Sequence, residues 1–352
     1  MNPPAPEWLL DSGGPVIRYR TARELLEDAT LTRELEGELL ASPLCRAWLD
    51  RLPREMPDPT RDPLAFSVIH GADDDKLETS LGKLAFLGFH RGIEPFDLRC
   101  RPIFRWLEQS LELAAERDRH TFSHFSIALV GSLLSLTGHA GNKAVASVIE
   151  LRRDTIYEFV REKRYDIYVP WPAKPPQHAK GRPLVDPQIY NGGRLRLPLH
   201  HDLHLFGGLS EGAREHPKIR AIVDYVLTDD FAALRRDYGM IATGKRRYMV
   251  SGWKPRLPRP GERGFEGLLA SLLMMAPFEA ARRSAWFKAS LDYVDEFRDG
   301  DRYTFPKEMI RESRTGYWPW NRMRLEERRT RNAHGLESTF WVLKIRKLAA
   351  LL

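Results

Sequence analysis

Cysteine is almost absent from this sequence. Cys45 and Cys100 are the two cysteines among 352 residues, and no CxxC spacing occurs. A disulfide framework needs several paired thiols, and cysteine-rich zinc sites need closely spaced ones. We therefore interpret both thiols as buried or chemically idle.

Long apolar runs are also missing. The longest ones cover residues 127–136 and 268–278, whereas a membrane-spanning helix needs about 20 apolar residues. The first residues lack the basic start and apolar core of a secretory signal. We therefore expect a cytoplasmic protein with no membrane partner.

Strong charge bias is a third absence. The chain has 55 Lys and Arg against 48 Asp and Glu, a net charge of +7. Most basic residues alternate with acids, and the densest basic stretch, 311–331, has seven Arg and three Glu. Without an RNA-recognition motif, zinc finger or basic zipper, we expect a small-molecule substrate and no nucleic-acid partner. The oligomeric state is left open.

Helical periodicity dominates what is present. Apolar residues recur at helical spacing in most segments between long loops, which predicts an all-α protein. Strand-like alternation is confined to residues 165–170 and 246–250, which we interpret as extended pieces within loops. The predicted helices cover residues 17–28, 31–52 with a break at 42–43, 76–88, 96–116, 122–137, 143–163, 199–209, 217–229, 262–275, 280–297 and 336–352.

Three long irregular segments interrupt the helices, at residues 165–198, 238–264 and 299–335. They are rich in aromatic residues, and nine of the eleven Tyr and six of the nine Trp follow residue 160. Long loops in compact domains are usually functional. We predict a single domain, 1–352, built as an α/α toroid, a ring of antiparallel helix hairpins whose loops lie over a central aromatic cavity. An open helical solenoid is the alternative.

Two segments carry a family resemblance. Trp8-Leu9-Leu10-Asp11-Ser12 with Val16-Ile17-Arg18-Tyr19-Arg20-Thr21, and Tyr317-Trp318 with Glu337-Ser338-Thr339-Phe340-Trp341, resemble uncharacterised bacterial α/α-toroid proteins. These are related to terpenoid cyclases and protein prenyltransferases. The resemblance implies the architecture but not the activity. Asp73-Asp74-Asp75 lacks the first Asp of the cyclase Asp-x-Asp-Asp motif, and the Gln-Trp repeats are absent.

The densest group of chemical side chains is His200-His201-Asp202-Leu203-His204. On a helix, His200 and His204 share one face. Histidine suits acid/base work near neutral pH, so we predict His200, His204, Tyr190 and Glu308 as catalytic residues. The same two histidines with a distant carboxylate could hold zinc. We nevertheless expect no cofactor, with a divalent metal as the alternative.

The predicted substrate-binding residues are mostly aromatic, and they come mainly from the three long segments. Aromatic and charged side chains of this kind line polar pockets. They could equally pack loops onto the helices or cap helix ends. The predicted binding residues are Asp186, His201, Tyr248, Trp253, Tyr303, Arg314, Tyr317, Trp318, His124 and Glu337.

These residue types favour an enzyme with acid/base lyase or hydrolase chemistry on a small polar or cyclic substrate, such as a carbohydrate. One alternative is an atypical isoprenoid cyclase or transferase. Another is a non-catalytic ligand-binding or scaffold protein.

Overall fold

The computed structural model describes residues 6–62, 65–116, 123–190, 194–260, 267–327 and 331–351. Within these residues the chain forms seventeen α-helices and six short strands. The prediction of a mostly helical protein is therefore confirmed. None of the described helices combines the length and the apolarity that crossing a membrane requires.

The α-helices, numbered in chain order, have the following bounds. They are α1 Glu7–Ser12, α2 Pro15–Arg20, α3 Ala29–Ala41, α4 Pro43–Leu49, α5 Phe66–Ile69, α6 Leu77–Phe86, α7 Glu94–Glu116, α8 Ser123–Leu134, α9 Lys143–Val160, α10 His200–Gly207, α11 Glu211–Arg214, α12 Pro217–Val226, α13 Asp229–Ala233, α14 Leu268–Met275, α15 Glu279–Arg283, α16 Ala285–Asp295 and α17 Ala333–Leu348. Two π-helical turns follow α2 and α8, at Thr21–Leu25 and Ser135–His139.

The strands form two small sheets. They are β1 Tyr168–Val169, β2 Leu184–Val185, β3 Met240–Gly244, β4 Arg247–Val250, β5 Arg298–Asp299 and β6 Arg302–Tyr303. The first four lie in the order β1-β2-β3-β4, with β2 and β3 parallel and the other neighbours antiparallel. β5 and β6 form an antiparallel pair.

The larger sheet shows that two of the predicted irregular segments are not structureless. Residues 165–170 and 246–250 were expected to be extended pieces, and each contributes an edge strand. The inner strands were not predicted. Leu184–Val185 has only two residues, and Met240–Gly244 begins with two adjacent buried apolar residues. Neither gives a readable alternation, so their pairing depends on tertiary contacts.

The chain divides into two compact units. Unit 1 comprises Met1–Met56, Phe66–Ile103 and Pro258–Leu352, and unit 2 comprises Pro57–Ala65 and Phe104–Leu257. The single toroid domain stays a prediction. Both cysteines are free and buried, and burial raises the pKa of Cys45 to about 12.

In unit 1 the first and last helices share one core. The Arg20 guanidinium lies 4.5 Å from the ring centroid of Phe340 and 4.8 Å from that of Trp341, both on α17. Arg20 pairs with Glu24 at 2.8 Å, and Lys344 of α17 lies 3.2 Å from Glu24. Burial raises the pKa of Glu24, but these cations outweigh it and hold that pKa well below its usual range. The buried charges are therefore mutually compensated.

In unit 2 helix α10 packs against α8 and the π-helical turn after it, and α9 packs against α12. The start of α10 is fastened by a fully buried ion pair. Arg152 of α9 donates to both carboxylate oxygens of Asp202, at 2.8 and 2.9 Å. Its remaining nitrogen donates to the carbonyls of Arg194 and Leu195, and Asp202 accepts the Leu199 N–H at 2.8 Å. Arg152 therefore joins both the end of the 165–198 segment and the start of α10 to α9.

Candidate functional site

The candidate reactive group in unit 1 is a histidine–carboxylate pair. His70 follows α5, and Glu78 is the second residue of α6. The Nδ1 atom of His70 lies 2.6 Å from the Oε2 atom of Glu78, which also accepts the Gly71 N–H at 3.2 Å. The Glu78 side chain is 1% exposed and that of His70 is 24% exposed. A carboxylate at this nitrogen selects the tautomer with the proton on Nδ1, so Nε2 becomes the proton-accepting atom.

The loop between α5 and α6 is fastened at both ends. Thr79 Oγ1 donates to the Gly71 carbonyl at 2.8 Å, and Lys76 Nζ donates to the Ser67 carbonyl at 2.8 Å. Gly71 adopts φ +150°, a region that side-chain-bearing residues rarely enter. The Lys76 side chain occupies the space next to it that a Cβ atom would need. These contacts fix the direction of the His70 backbone.

A half-exposed aromatic ring lies beside the imidazole. Tyr317 stacks on His70 with ring centroids 5.3 Å apart and an interplanar angle of 22°, and 49% of Tyr317 is exposed. Asn321 closes the turn that carries Tyr317. Its Oδ1 accepts the Ser313 N–H at 2.8 Å, and its Nδ2 donates to the carbonyls of Ser313 and Gly316. We call His70, Glu78 and Tyr317 the dyad site.

Trp318 anchors this turn in the core of unit 1. Its side chain is fully buried and lies 5.8 Å from the Phe86 ring. It packs onto Gly82 so closely that a Cβ atom there would lie 2.6 Å from the indole. The position of Tyr317 at the surface is therefore a consequence of its neighbour's burial.

A charge network holds the 312–324 segment against the loop of the dyad site. Arg322 Nη2 lies 2.5 Å from Asp74 Oδ1 and donates to the Ala72 carbonyl at 3.3 Å. The Lys83 ammonium donates to Glu312 at 3.0 Å and to the Arg322 carbonyl at 3.0 Å. Burial lowers the pKa of Lys83, and Glu312 opposes that effect.

The remaining predicted site residues of unit 1 have structural contacts or are exposed. Tyr303 donates to Asp295 at 2.8 Å, and Glu337 accepts the N–H groups of Leu325 and Glu326. Burial raises the pKa of Glu337, and the two N–H groups reduce the effect without reversing it. Glu308 and Arg314 are exposed, and neither forms an ion pair with the residues that the structure describes.

In unit 2 the predicted histidines join an aromatic cluster. The His200 N–H donates to the Trp253 carbonyl at 3.0 Å, and the rings of His200 and His201 have centroids 4.0 Å apart. The Phe125 ring stacks on Trp253 at 3.7 Å and meets His201 edge-on at 5.6 Å. All of these side chains are buried, as is His204 one turn along α10.

Burial keeps two of the unit 2 histidines neutral. It lowers the pKa of His204 to about 3. It also lowers the pKa of His124 to about 4, assisted by the positive charges of Arg152 and Arg194. An imidazole with so low a pKa is a weak base and is not present as an imidazolium acid at pH 7. The metal role considered for His200 and His204 stays a prediction.

The other predicted residues of unit 2 hold the irregular segment on the sheet. The Tyr190 hydroxyl accepts the Ala242 N–H of β3 at 2.9 Å, and burial raises the pKa of Tyr190. Burial raises the pKa of Asp186 as well, but the Gln188 N–H and Arg164 outweigh it and the pKa lies below its usual value. Tyr248 meets Trp171 edge-on at 4.7 Å.

The structure thus brings Tyr317 beside His70, which contacts Glu78. The sequence reasoning missed both His70 and Glu78. They are eight positions apart, and on a continuous helix that spacing would separate them by about 12 Å, too far for their side chains to touch. The Asp triplet between them suggested a cyclase motif instead. A histidine followed by acids just ahead of an amphipathic helix was the available signal.

Comparisons with known proteins give no relative. No family model matches the chain, no curated protein matches it and no solved structure matches it. The resemblance to the terpenoid cyclase and prenyltransferase superfamily stays a prediction, and the candidate site rests on its own geometry.

Proposed function

We propose that the chain is an enzyme that carries out acid/base chemistry, as a lyase or hydrolase, on a small polar or cyclic substrate such as a carbohydrate. The observation that carries this proposal is the 2.6 Å contact between His70 Nδ1 and the buried Glu78 carboxylate. The proposal moves the reacting base away from His200 and His204, because those imidazoles lie in a buried cluster, whereas His70 is partly exposed.

Each residue of the dyad site has a proposed role. His70 Nε2 takes the proton, and Glu78 orients the ring and stabilises the imidazolium that forms. Tyr317 offers a flat ring on which a cyclic substrate stacks. Arg314, exposed on the same turn, supplies a guanidinium for a negatively charged or hydroxyl-rich part of the substrate.

We also propose the α/α toroid for the arrangement of the helices, and a cytoplasmic location. The toroid is the architecture that the resemblance of the first and last segments implies, and the packing of α17 on α1 and α2 within unit 1 supports it. Closing a ring of helix hairpins requires its first and last elements to meet. An experimental structure that contains no ring of hairpins would contradict this part of the proposal.

The catalytic role is tested with chromogenic substrates. The purified protein is assayed against a panel of 4-nitrophenyl esters and 4-nitrophenyl glycosides, together with the variants His70→Gln and Glu78→Gln. Removal of a general base lowers the rate by about 10² to 10⁴-fold, so we expect that loss for His70→Gln. Glu78→Gln keeps the shape but removes the charge that stabilises the imidazolium, and we expect a loss of similar order.

The matched control is His178→Gln, which makes the same change at an exposed histidine of unit 2. It should retain the full rate. Turnover that survives His70→Gln would move the chemistry away from the dyad site. An equal loss in His178→Gln would show that the assay reports general damage rather than a catalytic role.

A further inference from the structure

Two stretches of unit 2, residues 167–185 and 238–257, carry basic residues with no acidic residue among them. These stretches hold eight Lys and Arg and no Asp or Glu. The rest of the chain then has 47 of the 55 basic residues and all 48 acidic ones, so it is nearly neutral. The net charge of +7 therefore arises from these two stretches.

The fold presents the second stretch as a hairpin with a basic tip. β3 and β4 are antiparallel, and Lys245 and Arg246 form the two-residue turn between them. Arg247 follows, paired in register with Gly244. The three basic side chains are all exposed.

The first stretch lies beside the same hairpin. His178 Nε2 is 3.1 Å from the Tyr248 carbonyl of β4. The Trp171 ring contacts the Tyr248 ring at 4.7 Å, and its Nε1 donates to the Arg182 carbonyl at 3.0 Å. These contacts fasten the segment that carries the exposed Lys174 and Lys180 to β4. We call Lys174, Lys180, Lys245, Arg246 and Arg247 the basic hairpin surface.

Among the residues that the structure describes, no acidic side chain forms an ion pair with any of the five cations of this surface. Neighbouring arginines differ in this respect. Arg182 and Arg235 lie 3.0 and 2.7 Å from Asp237, and Arg164 lies 2.8 Å from Asp186. The arginines that support the fold are thus compensated, while the exposed five repel each other and favour an anionic partner.

We propose that the basic hairpin surface binds nucleic acid through its backbone phosphates, without sequence preference. A two-stranded β-ribbon fits the major groove of a duplex, and lysine and arginine side chains contact phosphates. An anionic membrane would also attract these charges, but peripheral membrane binding combines them with exposed apolar anchors. The exposed large apolar residues among those described are Leu26, Leu98, Tyr317 and Leu351, and none belongs to these stretches.

The test is a titration of the full chain into a fluorescein-labelled 20-base-pair DNA duplex, followed by fluorescence anisotropy at salt concentrations from 50 to 200 mM. Five phosphate contacts predict a slope of log K against log salt of about −4.5, or roughly 500-fold weaker binding at 200 mM than at 50 mM. The variant K245Q/R246Q/R247Q removes three contacts and should reduce the slope by about 2.7. With equal affinities at 1 M salt, the same slope change makes the affinity of this variant roughly 3,000-fold lower than that of the wild type at 50 mM.

Two further variants separate a local surface from general charge. R33Q/R101Q/K307Q removes an equal number of positive charges, three, at exposed positions outside the two stretches. Its affinity should stay within about threefold of the wild type. R246K/R247K keeps the charge and should keep the slope, because phosphate contacts need a cation rather than a particular side chain. Circular dichroism spectra check that each variant is folded.

Three results would overturn the proposal. One is a salt slope that does not change in the hairpin variant, and another is an equal loss of affinity in the R33Q/R101Q/K307Q control. The third is binding to phosphatidylserine vesicles without binding to the duplex, which would make the surface a membrane contact. The proposal does not depend on the dyad site, so the nitrophenyl assay and the DNA titration succeed or fail separately.

Discussion

Removing the buried imidazole of His204 should change how stability depends on pH. The pKa of His204 is about 3 in the folded protein because of burial, against 6.5 for an unperturbed histidine. The His204 imidazole therefore binds a proton near pH 6.5 in the unfolded chain, but only near pH 3 in the folded protein. Stability contributed by the neutral form is present above pH 6.5 and is lost as the pH falls through this window. Between pH 7 and pH 5 the loss is about 2 kcal/mol for this one group.

The assay is urea unfolding of the wild type and of His204→Leu at pH 7 and at pH 5. The readout is the difference in unfolding free energy between the two pH values, because the substitution also alters packing by an amount that does not vary with pH. The wild type should lose about 2 kcal/mol more than the variant on going to pH 5. His124 is present in both proteins, so its own titration cancels if the two sites act independently.

The control is His178→Leu, which removes an exposed histidine and should leave the pH dependence of the wild type unchanged. A His204→Leu variant with the same pH dependence as the wild type would refute the reasoning. It would mean that the His204 imidazole takes up a proton in the folded protein as readily as in the unfolded chain.

Three further substitutions test the packing of the two units by chemical denaturation. Arg152→Met should lower the free energy of unfolding by about 3 to 5 kcal/mol, because it leaves the Asp202 charge buried and unpaired. The double variant R152M/D202L should recover most of that loss, and no recovery would contradict this account. Trp318→Ala should cost about 3 to 5 kcal/mol, since it empties the space against Gly82, and a loss below about 1 kcal/mol would mean that the indole is not an anchor. Tyr190→Phe should cost about 1 to 3 kcal/mol, because the Ala242 N–H of β3 loses its acceptor, and an unchanged midpoint would show that water replaces the hydroxyl.

Local sequence signals predicted most of the longer helices, but they missed the short helices α1, α5 and α11 and the break between α15 and α16 at Ser284. The break between α3 and α4 at Ser42 and Pro43 follows from proline's missing N–H and fixed φ, which suit the first turn of a helix. The helix at His200–Gly207 was expected at 199–209, and its start depends on a carboxylate at the third position, which accepts the Leu199 N–H. These features involve residues within four positions of each other, so they can be read directly from the sequence.

The candidate site was predicted less well, because its parts come from distant positions. His70 and Tyr317 are 247 residues apart in the sequence and their rings stack. Tyr317 was chosen for its aromatic character, while the signal at His70 and Glu78, a histidine followed by acids ahead of an amphipathic helix, is common in proteins without such a site. The histidines of 200–204 were the strongest sequence signal, yet tertiary packing buries them with Phe125 and Trp253.

The helical class and most bounds of the longer helices follow from the sequence alone, because periodicity and capping act over short distances. Tertiary structure decided which histidine is partly exposed beside a carboxylate and which are buried and neutral. It also decided that the segment carrying Lys174 and Lys180 is fastened to the hairpin that carries Lys245, Arg246 and Arg247. Burial and the meeting of distant segments depend on the whole packed chain, and no local pattern encodes them.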